Sequence, residues 1–494
     1  MYDVAIIGAG VMGCAIAREL SRYQLQVLLL EKDIDVGVGA TKANSGIVHG
    51  GYTAAHGTLK GELVVKGNRM YRQLEEELNF GFRQTGSLVV AFTDEEREIL
   101  AQLQANGEKN GVQDLRILQR EEALAREPAL NPAIVAALYC GETGITSPYE
   151  FCIALAENAV ANGVTLALNN EVKHIESKAQ GFQLVTGADT YQARYVINAA
   201  GVYADTIAAM VGAQNFTILP RKGQYLLLSR GTGSLVNHVV FQTPGPQGKG
   251  VLVTSTYWGN LMLGPNAEDV TDREDLATET TALQDIIATA WRSVPQIDIT
   301  KAIRSFSGIR PSSDRRDFII EESRVPRFIN VAGIDSPGLT SAPAIAQRVL
   351  QLLEELGVVL EPKADFNPRR RPITTFSPLQ PMSEIVADVN RPPGDPLRIV
   401  CRCEQVREQT IVDAIHRGIP INSTDAIKRR TRAGMGACQG SFCTSRVKEI
   451  IARERGLAPE EIFLRGRQSG DFPARISSRE LRQIAQGLQA PRQD

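Results

Sequence analysis

Little in this 494-residue chain points to a charged partner or to a membrane. Lys and Arg number 54 against 56 Asp and Glu, a formal net charge of −2, so no overall field gathers nucleic acid or an anionic surface. No apolar run reaches the roughly 18 residues of a membrane span. The chain opens on a core-like strand where a leader would carry a charged segment and then an apolar one, so the expected location is the cytoplasm. Histidine is scarce, at five, and of these only His49 lies in a context that suggests a role, while His56, His174, His238 and His416 read as ordinary. Cysteine, at seven, is odd in number, and four of the seven crowd near the C-terminus, which argues for ligands over a disulfide framework. Cys14, Cys140 and Cys152 lie in apolar surroundings and read as small core residues. No fixed-period repeat is present, and the length exceeds what one core sustains, so two or more domains are expected.

What is present organises itself around the first thirty-odd residues. An apolar run from Asp3 to Ile7 leads into Gly8-x-Gly10-x-x-Gly13, then a helical pattern, then a second strand, Val27 to Leu30, that ends in Glu31. Gly8 permits a tight turn, Gly10 lets backbone approach a pyrophosphate, and Gly13 lets helix and strand pack closely. The pyrophosphate would sit at the helix N-terminus, and Glu31, 18 residues beyond Gly13, is placed to bind ribose hydroxyls. Motif and context together predict a Rossmann-like dinucleotide-binding unit.

Further along, a glycine-rich stretch from Val36 to Tyr52 is too small and polar for a core element, and it suits close approach to a flat ligand. Helices are expected over Leu59 to Leu78, Asp94 to Asn106, Arg120 to Glu127, Tyr149 to Asn162, Ala277 to Arg292 and Ser341 to Leu356. Strands are expected at Gly86 to Phe92, Ala133 to Tyr139, Val164 to Leu168, Val172 to Ser177 and Phe328 to Gly333, with a hairpin over Gly181 to Tyr195 feeding Tyr195 to Gly201. Short strands at Pro220 to Leu228, Val239 to Gln242, Gly250 to Val253, Asn260 to Gly264 and Ser305 to Pro311 suggest a largely antiparallel substrate-covering sheet. Eight prolines between Glu361 and Pro396 mark a domain connector, and a compact cysteine-bearing module follows.

Three cofactor-facing segments far apart in sequence suit a flavin better than a nicotinamide. GAGVMG with Glu31, ATKANSGIVHGGY, VINAAGVYAD and GIDSPGLTSAPAIA together resemble the FAD-dependent oxidoreductases of the D-amino-acid oxidase type, a group that includes glycerol-3-phosphate and L-2-hydroxyglutarate dehydrogenases. The resemblance implies that Thr41, Asn44, Ser45 and Gly46 line the pyrophosphate and flavin, that Val172 meets the adenine through its backbone, and that Ala200 and Gly201 border the adenosine half. It also implies that Gly338, Leu339 and Thr340 point a helix N-terminus at the flavin carbonyl edge, where reduction puts negative charge. His49, beside the reactive edge, is a candidate for taking the substrate hydroxyl proton. Arg310 is the first candidate partner for a substrate anion and Lys222 the second.

The C-terminal cysteines run Cys401-x-Cys403, 34 residues, Cys438-x4-Cys443, four thiolates suited to an iron–sulfur cluster or a closed zinc site. The surrounding text, VCRCEQV and IKRRTRAGMGACQGSFCTSR, resembles the bacterioferritin-associated-ferredoxin-like module, which binds a 2Fe-2S cluster, and especially the C-terminal domain of the anaerobic glycerol-3-phosphate dehydrogenase large subunit. The basic run Lys428 to Arg432 has three readings: it offsets the cluster charge, docks a partner, or forms a solvated helix face, the usual fate of such runs. Nucleic acid is not expected, since no aromatic residues interleave with it.

The expected architecture is therefore α/β: an FAD-dependent oxidoreductase domain over 1–360, with FAD-binding parts at about 1–80, 145–215 and 312–360 and substrate-domain parts at 81–144 and 216–311. A proline-rich connector over 361–396, a small mainly helical 2Fe-2S domain over 397–460 and a polar tail over 461–494 complete it. Flavin plus cluster implies a dehydrogenase that oxidises a small anionic alcohol and passes electrons to a protein subunit or carrier. Glycerol 3-phosphate is the leading substrate, with 2-hydroxy acids next because GIDSPGLTSAPAIA looks like the L-2-hydroxyglutarate enzymes and a Gly-Gly-Lys stretch is missing there. Amino or imino acids follow, and a non-catalytic electron-transfer subunit is the reading from another class.

Overall fold

The computed structural model describes residues 1–245, 250–466, 476 and 478–487. Its first sheet is built on Tyr2–Ile7, whose apolar residues are buried and which lies parallel to Val27–Leu30 on one side and to Thr190–Asn198 on the other. Thr165–Ala167 extends the sheet beyond Val27–Leu30. Thr190–Asn198 divides its second edge: its start pairs antiparallel with Gly181–Thr186, and its end pairs parallel with Phe328–Ala332. A sheet of parallel strands needs cover on both faces. The helices Val11–Leu20, Pro148–Ala161 and Gly338–Glu355 supply one cover, with Leu59–Leu78 packed across Gly338–Glu355. Gly67 makes that crossing possible, because a Cβ there would lie 2.2 Å from the Thr340 carbonyl oxygen.

The second sheet runs from Ile218–Arg230 through Asn260–Gly264, Leu252–Ser255 and Val239–Gln242 to Ser87–Ala91, Ala136–Cys140 and Leu115–Gln119. Its pairings are antiparallel except for Val239–Gln242 beside Ser87–Ala91. The strand Ala302–Ser313 pairs along nearly the whole of Ile218–Arg230, and this pair floors the large cavity described below. Leu481 and Ile484 of the helix Ser478–Gly487 are buried in the core behind this sheet, so part of the polar tail packs on the body of the protein. Residues 467–475, 477 and 488–494 of that tail lie outside the described residues.

The cysteine module has two short strands, Ile399–Cys401 and Val406–Arg407, and the helices Glu408–Ile415, Thr424–Thr431 and Thr444–Arg455 around their own core of Val400, Ile411, Ile427 and Ile451. Two expectations change. The proline-rich stretch is not a bare connector: residues 362–370 are strapped to the first domain through Lys363 N–H to Arg22 O and Arg370 to Glu157, and Met382–Val389 is a helix that starts directly after Pro381. The basic run is not a solvated face, because Arg429, Arg430 and Arg432 are all buried. No helix among the described residues is long and apolar enough to cross a membrane.

Candidate active site and cysteine centre

The glycine turn is built for close approach. Gly8 adopts φ +103°, and a Cβ at Gly13 would fall 1.9 Å from the Gly8 carbonyl oxygen, so neither position tolerates a side chain. Gly10 caps Val11–Leu20 without any side-chain hydrogen bond, leaving the helix N-terminus open except for Val11 N–H, which donates to Thr41 Oγ1 at 3.0 Å. Such an end is a ready anion site. Glu31 accepts from Ala9 N–H at 2.7 Å through one oxygen and from Asp33 N–H at 2.9 Å through the other. Burial, reinforced by the Asp33 charge, still pushes its carboxyl up to about 7. Each oxygen keeps a second lone pair, which leaves room for a ribose hydroxyl.

These residues open into one cavity of about 1930 Å³, also lined by Val172, Ala200 and Gly201 at one end and by Ser45, Gly46, His49 and Arg310 at the other. Small-molecule sites usually occupy roughly 300–1,000 Å³. The loop between the ends is self-supporting: Asn44 donates to Ala40 O and Thr41 O and accepts from Gly46 N–H, while Gly46, at φ +66°, lies against Thr146. Gly338 and Leu339 begin their helix on the cavity wall. Thr340 follows them in the first turn, and its side chain ties that turn to the glycine-rich loop. It is fully buried, and its hydroxyl accepts from His49 N–H at 2.9 Å and donates to Ile47 O at 3.2 Å. Asn68 holds the His49 carbonyl at 3.0 Å, so the closing helix and a second helix both fix the histidine backbone while its ring faces the cavity near Phe241.

Arg310 is aimed by two carbonyls, Asn266 O at 2.7 Å and Lys222 O at 3.2 Å, both bonded to Nη2. Its Nε is buried with no hydrogen-bond partner among the described residues, and the residue lines the cavity. Lys222 is in the wrong place to join it. Its ammonium sits 2.7 Å from Asp275 and 3.0 Å from Glu279, with Glu268 at 3.7 Å, and it does not line the cavity. The reason is register: Arg221, not Lys222, stands opposite Arg310 on the paired strand, and successive strand residues face opposite ways. Arg221 does line the cavity. Tyr225 stacks on Phe306 at 4.7 Å on the same wall.

In the cysteine module, Cys401 and Cys443 are buried and interact with each other, and Cys403 and Cys438 form a second, more accessible pair. The Cys443 thiol, then the Gly434 and Glu404 amides, offset burial and bring Cys401 down to about 6, while Cys443 is pushed up in return. Gly434 N–H lies 3.5 Å from Cys401 Sγ, and Gly436 must be glycine because a Cβ would meet Cys403 Cβ at 2.2 Å. Cys443 also caps the N-terminus of Thr444–Arg455. Among the described residues no group of three or more His, Cys, Asp or Glu closes on a single metal ion. Two facing thiol pairs with an amide donor to sulfur fit a two-iron cluster better than one tetrahedral zinc.

Contacts between remote segments carry the module onto the first domain, and sequence reading did not find them. Asp35, beside the glycine-rich loop, takes both nitrogens of Arg430 at 2.7 and 2.8 Å and also binds Arg429, whose other nitrogen reaches Val36 O at 2.6 Å. Burial alone would raise the Asp35 carboxyl; the two guanidiniums override it and hold it below the usual range. Arg432 pairs with Glu404 at 2.8 Å and lies over Trp258, and Met435 accepts from Tyr149 Oη at 3.4 Å. Arg432, Met435 and Gln439 line the same cavity as the glycine turn, so the basic run docks the module within its own chain.

Comparison with known proteins accords with this construction. Residues 3–352 match the family model described as FAD dependent oxidoreductase, and residues 399–453 match that of the BFD-like 2Fe-2S binding domain. A glycerol 3-phosphate dehydrogenase of Caloramator mitchellensis is 50% identical over 94% of this chain and 96% of its own length. The human mitochondrial L-2-hydroxyglutarate dehydrogenase is 27% identical over 72% of this chain and 89% of its own. The dithionite-reduced L-alpha-glycerophosphate oxidase of Mycoplasma pneumoniae, solved with FAD bound, superposes with a TM-score of 0.72 at 34% identity, covering 75% of this chain and 98% of that one. The chain belongs to the FAD dependent oxidoreductase family, as a flavoprotein whose cofactors are FAD and, in its BFD-like domain, a 2Fe-2S cluster.

Proposed function

We propose that the protein is a dehydrogenase that oxidises sn-glycerol 3-phosphate to dihydroxyacetone phosphate and delivers the electrons to a protein subunit or carrier. The observation that carries this reading is the relation to the Caloramator mitchellensis dehydrogenase, which extends over both domains at nearly twice the identity of the hydroxyglutarate enzyme. In this reading FAD supplies the hydride acceptor and the cluster a one-electron outlet. Arg310, aimed by two carbonyls on the cavity wall, binds the anionic end of the substrate. His49, its backbone fixed by Thr340 and Asn68, takes the proton of the hydroxyl whose carbon loses hydride. Gly8, Gly10, Gly13, Thr41 and Glu31 hold the dinucleotide, and Cys401, Cys403, Cys438 and Cys443 hold the cluster.

The same reading divides the chain into an oxidoreductase unit over 1–360, a strap over 361–396, a cluster domain over 397–460 and a tail beyond, and places it in the cytoplasm. The experiment is anaerobic addition of substrate to the FAD-loaded protein while flavin absorbance is followed. Bleaching by glycerol 3-phosphate and not by L-2-hydroxyglutarate or by amino acids is expected. Bleaching by L-2-hydroxyglutarate alone would reassign the substrate.

A further inference from the structure

We propose that electrons leave this protein through one face of the cluster domain, and that this face docks the acidic surface of a one-electron-accepting protein. The face is made by Arg402, Phe442 and Arg446 beside the accessible cysteine pair, and by the apolar stripe Leu379, Met382 and Val386. The inference deepens the proposed function and rests on its reading that electrons pass to a protein subunit or carrier. Each transfer moves one electron: the reduced centre is oxidised, the partner's acceptor is reduced, and two such steps empty a reduced flavin.

The module has two sides. Met435 and Gln439 line the large cavity beside the glycine turn, and Cys401 and Cys443 are buried. Cys403 and Cys438 are partly exposed, with Ala437 and Ser441 exposed beside Cys438. A centre filled from the cavity therefore meets solvent at Cys403 and Cys438. Arg402 stands between Cys401 and Cys403 in the chain, and Phe442 directly precedes Cys443. The guanidinium carbon of Arg402 lies 3.8 Å from the Phe442 ring centroid and that of Arg446 lies 4.3 Å from it, so one aromatic ring gathers two cations. Neighbouring cations are taken by acids: Arg398 and Arg453 by Glu408, and Arg432 by Glu404. Arg402 and Arg446 form no ion pair among the described residues, and Glu449 acts on Arg446 only at longer range. Two such charges steer an anionic surface toward the thiols.

The apolar stripe is built by the helix Met382–Val389. Its Ile385 and Val389 turn inward onto Ile399. That leaves Met382 and Val386, four residues apart on one face, exposed at 51% and 49%, with Leu379 just before the helix at 41%. The stripe is pinned beside the accessible thiols. Gln380 N–H donates to Gln405 Oε1 at 2.9 Å, Gln405 Nε2 donates back to Gln380 O at 2.7 Å, and Gln405 follows Cys403 by two residues. An apolar centre with charged groups around it is the anatomy of a protein contact. A small anion would have no use for the stripe, and the unpaired arginines set the sign of the partner's surface as negative.

The test uses the full-length protein loaded with FAD and cluster, reduced by dithionite and freed of excess reductant, so the substrate assignment does not enter it. At low ionic strength the protein is mixed with ferricyanide, a trianion, or with tris(phenanthroline)cobalt(III), a trication, and cluster reoxidation is followed. Redox-inert hexacyanocobaltate(III) is titrated calorimetrically as the binding probe. The expected result is saturable binding of the inert trianion that competes with ferricyanide. Arg402→Gln with Arg446→Gln should weaken that binding and slow ferricyanide at least tenfold, without slowing the cobalt trication and with iron content and cluster potential unchanged. If Arg402→Gln fails to keep its iron, Arg446→Glu alone carries the test and should favour the trication. Unchanged rates with both oxidants overturn the proposal. Equal slowing of both, or a shift in cluster potential, assigns the arginines to the cluster itself and also overturns it. Sedimentation of the loaded protein tests the stripe: a dimer that Met382→Glu dissolves assigns the stripe to a second copy and overturns the acidic partner, whereas unchanged sedimentation is expected.

Discussion

Asp35→Asn is the perturbation that best isolates how the cluster domain is held. The carboxylate is buried at 2% exposure, and so are its partners, Arg430 at 0% and Arg429 at 4%. Asparagine keeps the shape and leaves two guanidiniums buried against a neutral amide. Removing one partner of a buried ion pair costs about 3–5 kcal/mol, much of it the exposed need of the remaining charge. With a urea m-value of about 1–1.5 kcal/mol per M for a small domain, about 3 kcal/mol moves a midpoint by about 2–3 M. The assay follows two probes in one urea titration, cluster absorbance for the C-terminal domain and flavin fluorescence for the first. The cluster transition should move down by that amount and separate from the flavin transition. A shift below about 0.5 M would refute the reasoning, showing that apolar contacts and not the Asp35 clamp hold the domain. The pH dependence has a fixed sign: a carboxylate whose folded pKa is depressed contributes above its unfolded pKa of about 4, and the contribution is lost as pH falls through the folded value. The wild-type dock should therefore weaken in acid below about pH 4, and Asp35→Asn should reduce that dependence by the part Asp35 contributes.

Arg310→Gln should slow substrate-driven flavin reduction by at least about 100-fold, the equivalent of about 3 kcal/mol for a lost charge-assisted contact, with flavin content unchanged; rapid-mixing absorbance checks it. Gly13→Ala should abolish FAD retention through gel filtration, since the added Cβ meets the Gly8 carbonyl oxygen at 1.9 Å, and a variant that keeps FAD would contradict the turn geometry. Glu150, buried beneath Trp258, has its carboxyl pushed up to about 8, by desolvation first. A raised folded pKa means the native state binds the extra proton, so stability falls as pH rises from about 4.5 through 8, by on the order of a few kcal/mol. Glu150→Gln should flatten that slope in thermal melts, and an unchanged slope would clear Glu150 of it.

Local physics made much of this fold legible. The helix over Leu59–Leu78 shows the boundaries its apolar period gives, with Asn79 in a left-handed conformation ending it. Val27–Leu30, Val239–Gln242 and Asn260–Gly264 likewise fall where strand pattern and turn residues place them. The glycine turn was readable because steric demands act within a few residues. Lys222 was misread for a reason equally simple: one residue along a strand reverses the face, and only the pairing with Ala302–Ser313 shows that Arg221 shares a side with Arg310. The contacts of the Thr340 hydroxyl were not legible, because a hydroxyl at a helix start can serve the ligand or a neighbouring loop, and Ile47 and His49 lie nearly 300 residues earlier. The basic run was the hardest case. Its partner Asp35 is 395 residues from Arg430, and no local pattern distinguishes a buried clamp from a solvated face. The helix Met382–Val389 was hidden by reading Pro381 as linker, although proline just before a first turn is a helix signal.

The central claim is that one chain holds a substrate-reducible flavin and, docked on it, an iron–sulfur centre that receives the electrons. The most direct measurement is anaerobic stopped-flow mixing with glycerol 3-phosphate at flavin and cluster wavelengths, with iron and acid-labile sulfide assayed on the same sample. The account predicts stoichiometric iron and sulfide, loss of the flavin band, and cluster bleaching that follows it. Flavin that stays oxidised while dithionite still reduces the cluster, or flavin that bleaches while the cluster never responds, would contradict it.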